Sequence, residues 1–169
     1  MSIEPEKLAI VLYPDPVLRQ VTKPVEHVTP EIQCICRRML ELMHQAPGVG
    51  LAAPQVGLLL RLFVANASGE PEQDMVFINP VITADGKVTE DLDEGCLSLP
   101  DITASIRRPQ AVTIEATDIN GERFRVSSDD LPARIWQHEY DHLDGILIID
   151  KMSPIDKIAN RKVIKELEA

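Results

Sequence analysis

Residues 138–142 read His-Glu-Tyr-Asp-His, and this pentapeptide constrains the chain more than any other segment. On a helix, residues four apart lie on one face, so both imidazoles can reach one ion. Glu139 then sits beside His138, placed to take a proton from a water on that ion. A divalent metal lowers the pKa of such a water to roughly 7. The alternative is a solvated helix face with two ordinary histidines and some i,i+4 charge pairs. The chain has four histidines, and two of them in one short window argue against that alternative. The spacing predicts a helix over 129–143, entered from Ser127-Ser128 and ended near Gly145.

The 169 residues suit one domain, spanning 1–169. Acidic residues number 27 against 17 basic, a formal charge of −10 that repels phosphate backbones and disfavours a DNA partner. The N-terminus, Met-Ser-Ile-Glu-Pro-Glu-Lys, has no basic start followed by an apolar run, so it does not read as a signal peptide. No uncharged apolar stretch reaches the roughly 20 residues a membrane helix needs. Three cysteines make a poor disulfide scaffold, so a reducing cytoplasm is the expected compartment.

A first helix is predicted from Thr29-Pro30, with Thr29 as N-cap and Pro30 at the first helical position. Ile32, Ile35, Cys36, Met39, Leu40 and Met43 give it an apolar face, and it should end before Pro47-Gly48. Leu58–Ala65 and Met75–Thr83 read as strands. Val112, Ile114 and Ala116 alternate with polar residues before Asn120-Gly121, which predicts a hairpin with a type I′ turn. Residues 13–24 read as an irregular, Pro-punctuated arm, and Ser153-Pro154 opens a C-terminal helix. Strands and helices do not alternate regularly. The expected class is therefore α+β: mixed or antiparallel strands around a central metal-binding helix, with an N-terminal and a C-terminal helix.

A catalytic metal needs a third protein ligand. Six residues after His142 stands Ile148, and Glu166 falls in the charged C-terminal helix, so a conventional metalloprotease is disfavoured. Cys96, in Glu94-Gly-Cys-Leu-Ser98, is the better candidate, although a lone cysteine is also a common small core residue. In Gly48-Val-Gly-Leu-Ala-Ala-Pro-Gln55, the small residues let a backbone approach a ligand closely or simply form a tight turn. Gln55 differs, because its amide can donate to a developing oxyanion. Cys34 and Cys36 lie about 200° apart on a helix and read as packing residues, at least Cys36 facing the core.

Together these segments resemble the peptide deformylase family. Its pattern is Gly-x-Gly-x-Ala-Ala-x-Gln, Glu-Gly-Cys-x-Ser and Gln-His-Glu-x-x-His. All three occur here in that order, at Gly48–Gln55, Glu94–Ser98 and Gln137–His142. The likeness extends to Tyr13-Pro-Asp-Pro-Val-Leu-Arg19, to Ile78-Asn-Pro80 and to Leu143-Asp-Gly145. The resemblance implies that Cys96, His138 and His142 bind one metal, Fe(II), which Zn, Ni or Co can replace. It implies that Glu139 is general base and acid, and that Gln55 and the Leu97 backbone N–H hold the oxyanion. A metal-bound water would then attack the formyl group of N-terminal formylmethionine on new polypeptides and release formate. Gly48, Val49 and Gly50 would offer a backbone edge to that peptide. Ile135 would either line the methionine pocket or pack in the core.

The charge is uneven. Residues 151–169 hold five basic and three acidic side chains, a net +2 that leaves −12 on residues 1–150. This mildly basic C-terminal helix is the one surface suited to a weak ribosome contact, or it is simply a solvated face.

Overall fold

The computed structural model describes residues 2–169. Helix α1 (Pro30–Gln45) starts as its sequence predicts, the Thr29 hydroxyl accepting from the Ile32 amide. Five strands form one antiparallel sheet in the order β1 (Gly50–Ala52), β2 (Leu62–Ala65), β3 (Met75–Ala84), β6 (Val112–Thr117), β7 (Arg123–Ser128). Strands β4 (Thr89–Cys96) and β5 (Leu99–Pro109) form a separate antiparallel hairpin. Helix α2 (Leu131–Leu143) carries the pentapeptide, and α3 (Ile148–Lys151), α4 (Pro154–Ala159) and α5 (Arg161–Glu168) close the chain. No described helix is long and apolar enough to cross a membrane.

Strand alternation divides the core. Leu62, Val64, Val76 and Ile78 pack with Ile35, Cys36, Met39 and Met43 of α1. Phe63 and Phe77 face the other way, onto Ala133, Trp136 and Leu143 of α2. The Phe63 and Phe77 rings stack at 4.7 Å, and Trp136 lies 5.8 Å from Phe77. Burying each such side chain contributes about 2–3 kcal/mol. Helix α2 therefore has its aromatic face on the sheet and is free to turn its histidines toward the β4–β5 hairpin.

The end of α2 is built around Gly145. Its amide bonds to the His142 carbonyl, and the Ile146 amide to the Asp141 carbonyl, which satisfies the last carbonyls of the helix. Gly145 has φ +73°, and a Cβ there would lie 2.6 Å from the Arg19 carbonyl oxygen. Only glycine lets the N-terminal arm cross here. That arm is not wholly irregular: Pro16–Arg19 forms a 3₁₀ turn capped by Asp15.

Several expectations need correction. The strand expected from Leu58 begins at Leu62, because Leu59 and Arg61 exchange backbone bonds with Lys23 of the arm, while the Arg61 carbonyl accepts from Asn79 of β3. Helix α2 begins at Leu131, with Asp130 as its cap rather than Ser127-Ser128. The β6–β7 turn is not type I′: only Gly121 has positive φ, and Asp118 closes the loop by accepting from the Asn120 and Glu122 amides. Cys34 is exposed rather than packed, whereas Cys36 is buried. The single C-terminal helix is broken at Asn160, whose side chain reaches the Thr103 carbonyl. Strands β4 and β5 lie outside the expected strands. The acidic run of β4 has low strand propensity and is held by Arg107–Asp91 and Arg108–Glu94 pairs.

Candidate metal centre

Helix α2 projects His138 and His142 toward the tip of the β4–β5 hairpin, where Cys96 ends β4. One donor atom from each of Cys96, His138 and His142 lies within 4.8 Å of the others. The Cys96 Sγ is 3.4 Å from His142 Nε2. Leu97 and Ser98 make the tight turn, and the Ser98 carbonyl accepts from the Tyr13 amide, so the arm braces it.

The orientation of each ligand is set by its neighbours. His138 Nδ1 bonds Glu94 Oε1 at 2.9 Å, which turns its other nitrogen inward. Burial opposes a charge on Glu94, but hydrogen bonds from His138 and Arg108 outweigh it and hold the carboxyl well below the usual carboxylate range. Arg108 grips both Glu94 oxygens, at 2.6 and 2.9 Å, and also Asp141 at 2.8 Å. Arg134 adds a bond to Glu94 and to the Ile106 carbonyl. The sequence reading gave Glu94, Arg108, Arg134 and Asp141 no role. The signal was there, since two arginines fall in otherwise apolar, buried patterns.

Glu139 is buried and its Oε2 has no hydrogen-bond partner. Burial pushes its carboxyl up to about 7, against the pull of the His138 charge. Burial holds the His142 imidazole well below its usual range, so it is neutral and ready to ligate. Gln55 closes the site from the turn after β1. Its Oε1 accepts from the Ala52 amide at 2.9 Å, which fixes the amide so that Nε2 faces Ser98 Oγ at 3.2 Å and Cys96 Sγ at 3.6 Å.

A cavity of about 430 Å³ opens here. It is lined by Gly48, Val49, Gly50, Gln55, Cys96, Leu97, Ile135, His138 and Glu139, and His142 adjoins it through Cys96. All ten residues singled out in the sequence thus converge on one place. Ile135 lines the cavity and also packs in the α2 core. Close approach explains the glycines. A Cβ on Gly50 would lie 2.7 Å from Glu139 Oε1, and one on Gly48 would lie 2.9 Å from Leu97 Cδ1.

The donor set fits a metal ion. Thiolate and imidazole suit first-row divalent ions, and three protein ligands leave a position for substrate. The orphaned Glu139 oxygen beside them marks where a water or substrate would sit.

Comparison with known proteins gives a consistent kinship. Peptide deformylase 1B, chloroplastic/mitochondrial, of Arabidopsis thaliana is 45% identical over 164 residues, covering 96% of this chain. The chain spans only 59% of that protein's length and 58% of a tomato (Solanum lycopersicum) relative's. The peptide deformylase of Acinetobacter baumannii is 42% identical, with 95% of this chain and 91% of that one covered. A crystal structure of the Plasmodium falciparum enzyme superimposes with TM-score 0.91 at 40% identity, covering 94% of each chain. A sequence model of polypeptide deformylases matches residues 7–158, and the chain belongs to this enzyme family.

Proposed function

We propose that this protein removes the formyl group from the N-terminal formylmethionine of newly made polypeptides and releases formate. One observation carries the reading. The Cys96, His138 and His142 donors converge beside the unpartnered oxygen of Glu139 and the oriented amide of Gln55. The kinship supports the same reaction. One divalent metal per chain is expected, Fe(II), with Ni, Co or Zn able to replace it. Bound by Cys96, His138 and His142, it supplies Lewis acidity, which lowers the pKa of a water to roughly 7.

The remaining chemistry belongs to the chain. Glu139 takes a proton from the attacking water and passes it to the leaving amine nitrogen. Burial disfavours the charged carboxylate, which favours its taking up that proton. The Gln55 amide and the Leu97 backbone N–H donate to the oxyanion, and neither reorganises in the step. The absence of a side chain at Gly50 lets the backbone pass against Glu139, and a formyl carbon, which carries nothing but hydrogen, asks little room between them. Strand β1 lies at the edge of its sheet, so Gly48–Gly50 can pair with the peptide as an added strand. Ile135 then meets the methionine side chain.

Formate release from formyl-Met-Ala-Ser tests this reading, with acetyl-Met-Ala-Ser as control. Multiple turnovers of the first and none of the second are expected. No formate from iron- or nickel-loaded protein would sink it. The reading places the protein in the cytoplasm, and its three thiols are free. It also includes a weak ribosome contact through exposed Lys157, Arg161, Lys162 and Lys165 of α4 and α5. Co-sedimentation with ribosomes at low salt should detect it, and a clean negative refutes it.

A further inference from the structure

A second cavity, of about 720 Å³, lies beside the first and is not needed by the chemistry above. The two share Leu131 and Ile135, one turn apart on α2. They are also joined through the backbone. The Val49 carbonyl, in the wall of the first, accepts from the amide of Asn66, in the wall of the second. Val49 and Leu131 are 47% and 46% exposed. They make an open apolar lip where one cavity gives way to the other.

The second cavity has a defined chemistry. Its apolar lining includes Met75, Val126, Pro132 and the buried Trp136. Its charged lining residues are Glu72 and Asp74, and no lysine, arginine or histidine lines it. Asp74 is engaged by His44 and Asn66, whereas Glu72 is exposed at the rim. Apolar walls with one exposed carboxylate, Glu72, fit a long aliphatic stem ending in a cation. Lysine and arginine bury their stems in this way while the charged head stays near water.

We propose that this cavity binds a basic side chain of the substrate polypeptide, downstream of the residues that occupy the metal centre. The inference rests on the deformylase reading and extends it to the rest of the nascent chain. The occupant follows from position as well as charge. A peptide paired with Gly48–Gly50 has its methionine in the first cavity, and the lip leads onward to the second. Cavities of these volumes are about 9 and 11 Å across, so at about 3.3 Å per extended residue the fourth to sixth residue reaches it.

The test uses metal-loaded, full-length protein and formylated heptapeptides on a Met-Ala-Ser-Ser-Ser-Ser-Ser frame. A single lysine or glutamate is placed at each position from three to seven. The kcat/KM ratio of the lysine to the glutamate peptide should peak between positions four and six, at about three- to tenfold in low salt. It should approach one in about 1 M salt, where the screening length is about 3 Å. Glu72→Lys should erase or invert the ratio while leaving turnover of formyl-Met-Ala-Ser unchanged, because that tripeptide is too short to reach Glu72. A ratio near one at every position overturns the inference, and so does a ratio that Glu72→Lys leaves intact. In both cases the deformylase reading survives. No turnover of any peptide brings down both.

Discussion

Replacing Gly50 by alanine tests the closest approach in the site. The new Cβ would lie 2.7, 2.8 and 2.9 Å from Oε1, Cγ and Cδ of Glu139. Ordinary contact begins at about 3.5 Å between heavy atoms, so something must retreat by roughly 0.6–0.8 Å. The clash involves Cγ and Cδ as well as the carboxylate tip, and Glu139 is only 4% exposed. Its carboxylate therefore moves as a unit off the line to the substrate. A displacement of about 1 Å in a catalytic group costs up to about 10²-fold in rate, or about 2.7 kcal/mol of barrier. Gly48→Ala is the internal control. Its Cβ would be tight only against Leu97 Cδ1, the far end of a flexible side chain. Formate release from formyl-Met-Ala-Ser should fall about 30- to 100-fold in Gly50→Ala and less than about threefold in Gly48→Ala. A folded, metal-loaded Gly50→Ala protein within threefold of the parent would refute the reasoning.

Other consequences follow from the same geometry. Cys96→Ala removes the only thiolate donor and should reduce bound metal well below one per chain, read by elemental analysis. Gly145→Ala forces a Cβ against the Arg19 carbonyl at positive φ and should cost about 2–4 kcal/mol, lowering Tm by roughly 5–15 °C. Glu94 gives a pH dependence. Its folded pKa is depressed, so its contribution is full above its ordinary value, about 4.5, and fades as pH falls toward the folded value. Glu94→Gln leaves Arg108 and Arg134 underpaired and should cost about 3–5 kcal/mol at pH 7 in urea unfolding. The gap between parent and variant should narrow below pH 4.5. A gap that is constant with pH would contradict the role given to this carboxylate.

Much of the fold was legible because its signals are local. Thr29-Pro30 caps a helix through one hydroxyl, and the alternation of Val112, Ile114 and Ala116 needs only a half-buried strand. The candidate site was read on another basis: helical spacing pointed to His138, Glu139 and His142, and the resemblance of three motifs added the rest of the ten residues, which the structure brings to one place. What escaped was nonlocal. The acidic β4 is a strand only because Arg107 and Arg108 face it across the hairpin. Leu59 and Arg61 look like strand but exchange backbone bonds with Lys23. The Asn120-Gly121 signal was overridden by the Asp118 side chain, which closes a longer loop. The ionic group behind His138 joins three elements and is invisible until β5 packs on α2.

The central claim is that one metal, held by Cys96, His138 and His142, and one carboxylate, Glu139, make a single deformylase site. The most direct measurement plots formate release against metal bound per chain, for the parent and for Glu139→Gln, each loaded stepwise with iron under anaerobic conditions. The account predicts a parent rate that rises linearly and levels at one metal per chain. Glu139→Gln should bind the same single equivalent and release almost no formate. A parent rate independent of bound metal, or a fully loaded Glu139→Gln variant as fast as the parent, would contradict the account.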